Sequence, residues 1–197
     1  KGWDQKNIVN KEVPRQDLPM SRNPKTGWVV TCNQKVVDAD YPYFMSIAFA
    51  PEYRARVLVE YINNFSKKMD ISNMLEMHNQ IISIPAKKMI NFSKKISINN
   101  KGFSELEKIS FNSLIQWDFN MDKESYEACI YTVTKEMLIE KIISINYGSL
   151  SEEVINWRNE GGISHVRGFL VPLINESIGD RDSFLINGLS WEELFLD

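Results

Sequence analysis

Asn23-Pro24-Lys25-Thr26-Gly27-Trp28-Val29-Val30-Thr31-Cys32-Asn33-Gln34 reads as a turn that feeds a strand. Asn-Pro opens a turn, because the residue before proline is pushed out of the helical region and proline fixes its own φ. Gly27 closes that turn, where a positive φ costs little. Trp28 to Thr31 are aromatic or β-branched and suit a buried, pleated strand. Asn33 falls where the strand ends, a common place for a side chain to face a site. Alone, it would read as a strand-end cap formed through an Asx turn.

Outward from this stretch the chain changes character. Residues 1–22 hold Pro14, Pro19 and many charges, which argue against a long helix. Val36 to Tyr43 is a loop with a second turn signal at Tyr41-Pro42, and Phe44 to Phe49 suits a short buried strand. Pro51 fits the first turn of a helix that runs to about Lys67, with Val57, Leu58, Tyr61, Ile62 and Phe65 on one face. Arg54 lies in its first turn, the unfavourable end of the dipole for a cation, so its placement asks for another reason.

Further helices follow. Asp70 or Ser72 caps one that carries Met74, Met77 and Ile81, with Met89 further on and Pro85 as a kink or interruption. Asn99 to Gly102 is a turn, with Gly161-Gly162 a later break. Phe103 to Ile115 forms the next helix, with Leu106, Ile109 and Leu114 towards one face. Trp117-Asp118 interrupts the pattern, the Trp in the core and the Asp fixing a turn. The longest helix begins at Asp122 or Lys123 and ends near Gly148, a fitting C-cap. Ser149 to Glu152 and Ser190 to Glu193 are capping-box patterns.

Bulk properties exclude several classes. The 197 residues are 43% hydrophobic and 25% charged, ordinary for a globular chain with a core. A net charge of -3 leaves no electrostatic footprint for nucleic acid. The pairs Lys67-Lys68, Lys87-Lys88 and Lys94-Lys95 read as solvated helix faces. No apolar run has the length of a membrane helix, and no signal peptide is visible. Cys32 and Cys129 do not make a disulfide framework and read as two small buried side chains. With only His78 and His165 there is no zinc-type ligand set, and His78 reads as a helix-surface or satisfied core residue.

The opening stretch, followed by Asp40-Tyr41-Pro42-Tyr43 and then Pro51-Glu52-Tyr53-Arg54-Ala55-Arg56, resembles the penicillin acylase (penicillin amidase) family of N-terminal-nucleophile amidohydrolases. Leu18-Pro19 matches the family's approach to the Asn-Pro turn, and Gly2-Trp3 pairs with it more loosely. The resemblance covers most of residues 12–140, continues through Trp117-Asp118, and fades beyond.

The resemblance implies an α+β fold, part of a four-layered αββα sandwich. Residues 1–50 are then a β-containing segment of the hydrolase core and residues 51–197 a mainly helical segment, together a fragment of one larger domain. It implies hydrolysis of a linear amide through an acyl-enzyme intermediate. The nucleophile, usually serine, is the first residue of the catalytic chain, and its own α-amino group serves as the base. Lys1 is no nucleophile, so the nucleophile is expected upstream, on a missing part of the precursor or a partner chain.

Asn33 then matches the family asparagine whose amide donates to the oxyanion, a neutral donor that needs no protonation. Arg54 matches a family arginine that holds Asn33 or the nucleophile's terminus. Arg56 points elsewhere. Cys32-Asn33-Gln34 stands where many members have Ala-Asn-Asn or Trp-Asn-Asn. His78-Asn79-Gln80 departs from the family's Gln and Asp, so no role transfers there. Many relatives bind calcium; no residue here matches that site, and Met45 falls near an expected carboxylate, so calcium stays unassigned in this chain, a candidate only for the complete enzyme, and no cofactor is expected here. The family acts on penicillins, cephalosporin side chains and acyl-homoserine lactones, and its members are mostly exported, which implies a periplasmic or extracytoplasmic place. The rival reading is a helical substrate-binding or interaction module without catalysis.

Overall fold

The computed structural model describes residues 12–46, 49–96, 102–157 and 165–196. Gly2-Trp3, Asn99 to Lys101 and Gly161-Gly162, together with residues 47–48 of the predicted second strand, lie outside them. The chain divides into two compact units, Lys1–Asn73 and Met74–Asp197.

The first unit is an irregular segment followed by α1 (Tyr53–Asn64). Gly27 donates its N–H to Pro24 O at 2.9 Å and has φ +77°, so the turn closes as the sequence predicts. The strand predicted after it is corrected. Trp28 to Thr31 belongs to no ladder, and the described residues contain no named strand. Within the described residues the observed class is therefore mainly helical, without the predicted β-containing segment. High β-propensity fits a residue to a pleated surface, and a strand needs a partner to become one.

The Gln34 side chain takes the place of such a partner. Its Oε1 accepts from Cys32 N at 2.5 Å and its Nε2 donates to Val30 O at 3.1 Å. Phe44, Met45 and Phe49, predicted to be buried, are exposed. On α1 only Ala55 and Val57 are buried; Leu58, Tyr61, Ile62 and Phe65 are half-buried.

α2 (Ile71–His78) straddles the division between the units. Asp70 caps it, accepting from Asn73 N at 2.9 Å, while Asn73 Oδ1 accepts from Asp70 N at 3.0 Å. The bond from Asn73 N to the ionised carboxylate, with one from the Ser72 hydroxyl, holds the Asp70 carboxyl below the ordinary aspartate value.

The second unit is helical: α3 (Ile84–Ile96), α4 (Glu105–Gln116), α5 (Tyr126–Tyr147), α6 (Ser151–Trp157), α7 (His165–Ser177) and α8 (Trp191–Leu196). Pro85 is the second residue of α3, so it interrupts the predicted run and starts a new helix rather than kinking one. The connection before it pairs with the one before α5. Ser83 N donates to Phe119 O at 2.9 Å and Met121 N to Ile81 O at 3.0 Å.

α5 starts three or four residues later than the predicted Asp122 or Lys123, with Ser125 as its cap. It ends at Gly148, whose φ of +53° suits a residue without Cβ. At the predicted box Ser149 to Glu152, a single 3₁₀ turn (Gly148–Leu150) runs into α6. Pro172 sits inside α7.

The core gathers Ala86, Met89 and Ile90 of α3, Tyr131, Leu138, Ile139 and Ile142 of α5, Ile174 of α7, and Leu185 and Trp191 beyond it. Trp117 joins this core and donates Nε1–H to Asn120 O at 3.2 Å. Asp118 fixes the turn by accepting from Asn120 N at 2.9 Å. On α4, Leu114 is buried, but the predicted companions Leu106 and Ile109 are exposed.

Ser104 caps α4 with a full capping box. Its Oγ accepts from Glu107 N at 3.3 Å, and Glu107 Oε2 accepts from Ser104 N at 2.7 Å. Ser104→Ala is expected to cost about 1 kcal/mol. A urea midpoint shift at unchanged slope checks it, and no shift would mean that the cap is idle.

Candidate oxyanion site

The site is built from the residues just after Trp28 to Thr31 and the start of α1. Asn33 has φ +64°, a left-handed conformation that Asn adopts more readily than most residues. Its carbonyl accepts from Ala50 N at 2.8 Å, just before Pro51 and the helix. That one bond brings residue 33 beside the first turn of α1. There Arg54 Nη2 donates to Asn33 Oδ1 at 2.8 Å and to Cys32 O at 3.0 Å.

These acceptors give a reason for a cation at the positive end of a helix, where the dipole alone disfavours it. A guanidinium has donors only, so the Asn33 amide must turn its oxygen towards Arg54. Its Nδ2 then faces away and can donate elsewhere; among the described residues it has no hydrogen-bond partner. Both side chains are exposed. The arrangement thus fixes a neutral NH2 donor group, with the carbonyl end of the amide polarised by a cation.

An open cleft of about 830 Å³ lies along the same stretch. Trp28, Val30, Val37 and Pro42 form apolar walls, and Gln34, Asp38 and Asp40 add polar groups. Tyr41, which also lines it, donates its hydroxyl to Asp17 O at 2.8 Å, and the nearby Tyr43 hydroxyl donates to Asp17 Oδ2 at 2.6 Å. The bond to the Asp17 carboxylate raises the Tyr43 hydroxyl above the ordinary phenol value.

Both predicted site residues therefore meet in one hydrogen bond. The backbone acceptor at Cys32 and the Gln34 brace were not assigned roles from sequence. Their signal lies in the order Cys-Asn-Gln, which sets an amide one residue beyond the site, able to reach back over its own backbone. Arg56 is exposed, as is His78 at the end of α2. Both cysteines are free thiols, but neither is buried as expected: Cys32 is half-buried and Cys129 exposed. Among the described residues no three His, Cys, Asp or Glu side chains gather as a metal site, and no helix is long and apolar enough to cross a membrane.

Comparison with known proteins places this geometry in a context. The profile of the family described as penicillin amidase matches residues 1–187, well beyond the 12–140 over which the resemblance is legible by eye. A curated relative, the penicillin acylase 2 proenzyme of Pseudomonas sp. (strain SE83), is 22% identical over 202 residues. The alignment covers 98% of this chain and 24% of the relative, so the chain spans about a quarter of that protein's length.

Proposed function

The chain belongs to the penicillin amidase family, and from that premise we propose that it supplies the oxyanion-stabilising part of an amidohydrolase acting on linear amides. The observation that carries the reading is the Arg54 to Asn33 bond, which engages the amide oxygen and leaves the Asn33 NH2 to donate. The nucleophile is an N-terminal serine, threonine or cysteine on a segment upstream of Lys1, and its free amine is the base. Its attack on the amide carbonyl makes a tetrahedral adduct with negative charge on oxygen. Asn33 Nδ2 donates to that oxygen. The α-amine, having taken the nucleophile's proton, gives it to the leaving nitrogen as the adduct collapses and expels the amine, and water then cleaves the acyl ester or thioester.

Arg54 is a positioning residue. It holds the Asn33 amide through Oδ1 and the turn through Cys32 O, so the donor is set before charge develops. In the complete α+β protein, Trp28 to Thr31 becomes a strand of the sandwich, and the Gln34 brace yields to a ladder partner. The relative is named as a proenzyme, in keeping with a precursor that is cut to expose its nucleophile. A periplasmic or extracytoplasmic place follows the same family pattern.

The test is the complete precursor. Its mature chains are identified by mass and N-terminal sequence and assayed against aryl- and alkyl-acyl amides. Expected are a new terminus at Ser, Thr or Cys, an acyl-enzyme burst, and an Arg54→Ala variant that loses about ten- to a hundredfold in kcat with a smaller change in KM. Arg54→Lys should recover part of the loss, since it restores one donor but not the fork. A precursor that is never cut and hydrolyses none of the amides would leave a non-catalytic helical module.

A further inference from the structure

Residues 28–34, Trp-Val-Val-Thr-Cys-Asn-Gln, carry no charge, no proline and no glycine, and the first four are aromatic or β-branched. That composition marks a segment prone to stack with copies of itself. Val29 is 60% exposed, and no strand among the described residues covers the segment.

In a strand, the backbone N–H and C=O groups of alternate residues share an edge. Trp28, Val30 and Cys32 would then present one edge, and Val29 and Thr31 the other. Side chains already hold the first set. Thr26 Oγ1 donates to Trp28 O at 3.1 Å. Gln34 Nε2 donates to Val30 O at 3.1 Å, and its Oε1 accepts from Cys32 N at 2.5 Å. Arg54 Nη2 donates to Cys32 O at 3.0 Å. The backbone groups of Val29 and Thr31 make no hydrogen bond among the described residues. Gln34 supplies two of these four bonds. One planar amide meets an acceptor and a donor two residues apart, as the C=O and N–H of one residue in a parallel neighbouring strand would.

We propose that the Gln34 carboxamide is an edge guard, which stops residues 28–32 from stacking with the same residues of further copies of this chain. An edge whose polar groups are already bonded offers an incoming strand nothing until those bonds break. With one edge closed, two copies can pair through Val29 and Thr31, but the stack ends there, because each interior strand needs two open edges. The device goes beyond the hydrolase reading and does not depend on it.

The first readout is amide hydrogen exchange of chain 1–197 by NMR, each rate taken relative to its unstructured value. Cys32 N–H is expected to be about tenfold better protected than Thr31 N–H. Equal protection would overturn the proposal, however the variants behave. The second readout is Gln34→Met, which keeps the side-chain length and removes both bonds. At equal concentration, followed by light scattering and thioflavin T, wild type is expected to stay monomeric or dimeric and Gln34→Met to grow into large thioflavin-positive species. Val29→Lys added to Gln34→Met should stop that growth, because stacking in register would set like charges against each other. Wild type and Gln34→Met growing alike, or growth that Val29→Lys leaves unchanged, would overturn the guard.

Discussion

Asn33→Ala, made in the complete precursor, is expected to lower kcat for amide hydrolysis by roughly 10²- to 10³-fold, the loss that follows removal of one oxyanion donor. KM should move far less, because Asn33 Nδ2 is needed where charge develops and not where the neutral amide first binds. Alanine also inherits the left-handed backbone at residue 33, φ +64°, at a cost of about 1–2 kcal/mol. Asn33→Gly separates the effects. Glycine accepts that φ freely, so it should keep the fold and lose the same activity. Asn33→Asp should also fold, since a carboxylate can accept from Arg54 as the amide oxygen does. It puts a negative charge where the oxyanion forms and should be the least active of the three. A kcat within threefold of wild type for both Ala and Gly would remove Asn33 from the reaction.

The sequence was most legible where a local rule decides the outcome. Gly27 and Gly148 take the positive φ that turn and helix end require. Asp70 caps α2, and Ser190 and Glu193 exchange the predicted bonds at α8, Ser190 N to Glu193 Oε2 at 2.6 Å and Glu193 N to Ser190 Oγ at 3.2 Å. Each rests on residues within four positions of one another. Readings that depend on distant chain fared differently. Trp28 to Thr31 has strand chemistry without a strand partner, and Phe44 and Phe49 have core chemistry without a cover. Periodicity marked Leu106, Ile109 and Leu114 as apolar but could not say that only Leu114 meets the core. Small size made both cysteines look buried, yet Cys129 is on the exposed side of α5. For the site, resemblance singled out Asn33 and Arg54. The bond between them depends on Asn33 O meeting Ala50 N, a contact across seventeen residues that no local pattern announces.

Trp191→Ala is expected to destabilise the helical unit by about 3–5 kcal/mol, the range for emptying a large aromatic site in a packed core. Trp191 is 1% exposed and, with Ile139, Ile142, Ile174 and Leu185, is among the most deeply buried large side chains. Its ring therefore lies inside the same buried cluster as Ile139 and Ile142 of α5 and Ile174 of α7, so removing it leaves a void in that cluster. Its Nε1–H also donates to Asp180 O at 2.9 Å, tying α8 to the turn that follows α7. That turn is otherwise held by short local bonds, Asp182 N to Asp180 Oδ1 at 3.1 Å and Ser183 N to Asp180 O at 3.3 Å. Removing the indole thus opens a void and releases an anchor together. Trp191→Phe keeps most of the ring and drops the donor, so it should cost only about 1–2 kcal/mol. Urea unfolding followed by far-UV circular dichroism compares them. If the two variants shift the midpoint equally, the hydrogen bond dominates and the packing argument for α8 fails. If the alanine variant is the weaker by the difference stated, burial of Trp191 is what holds the last helix against α5 and α7.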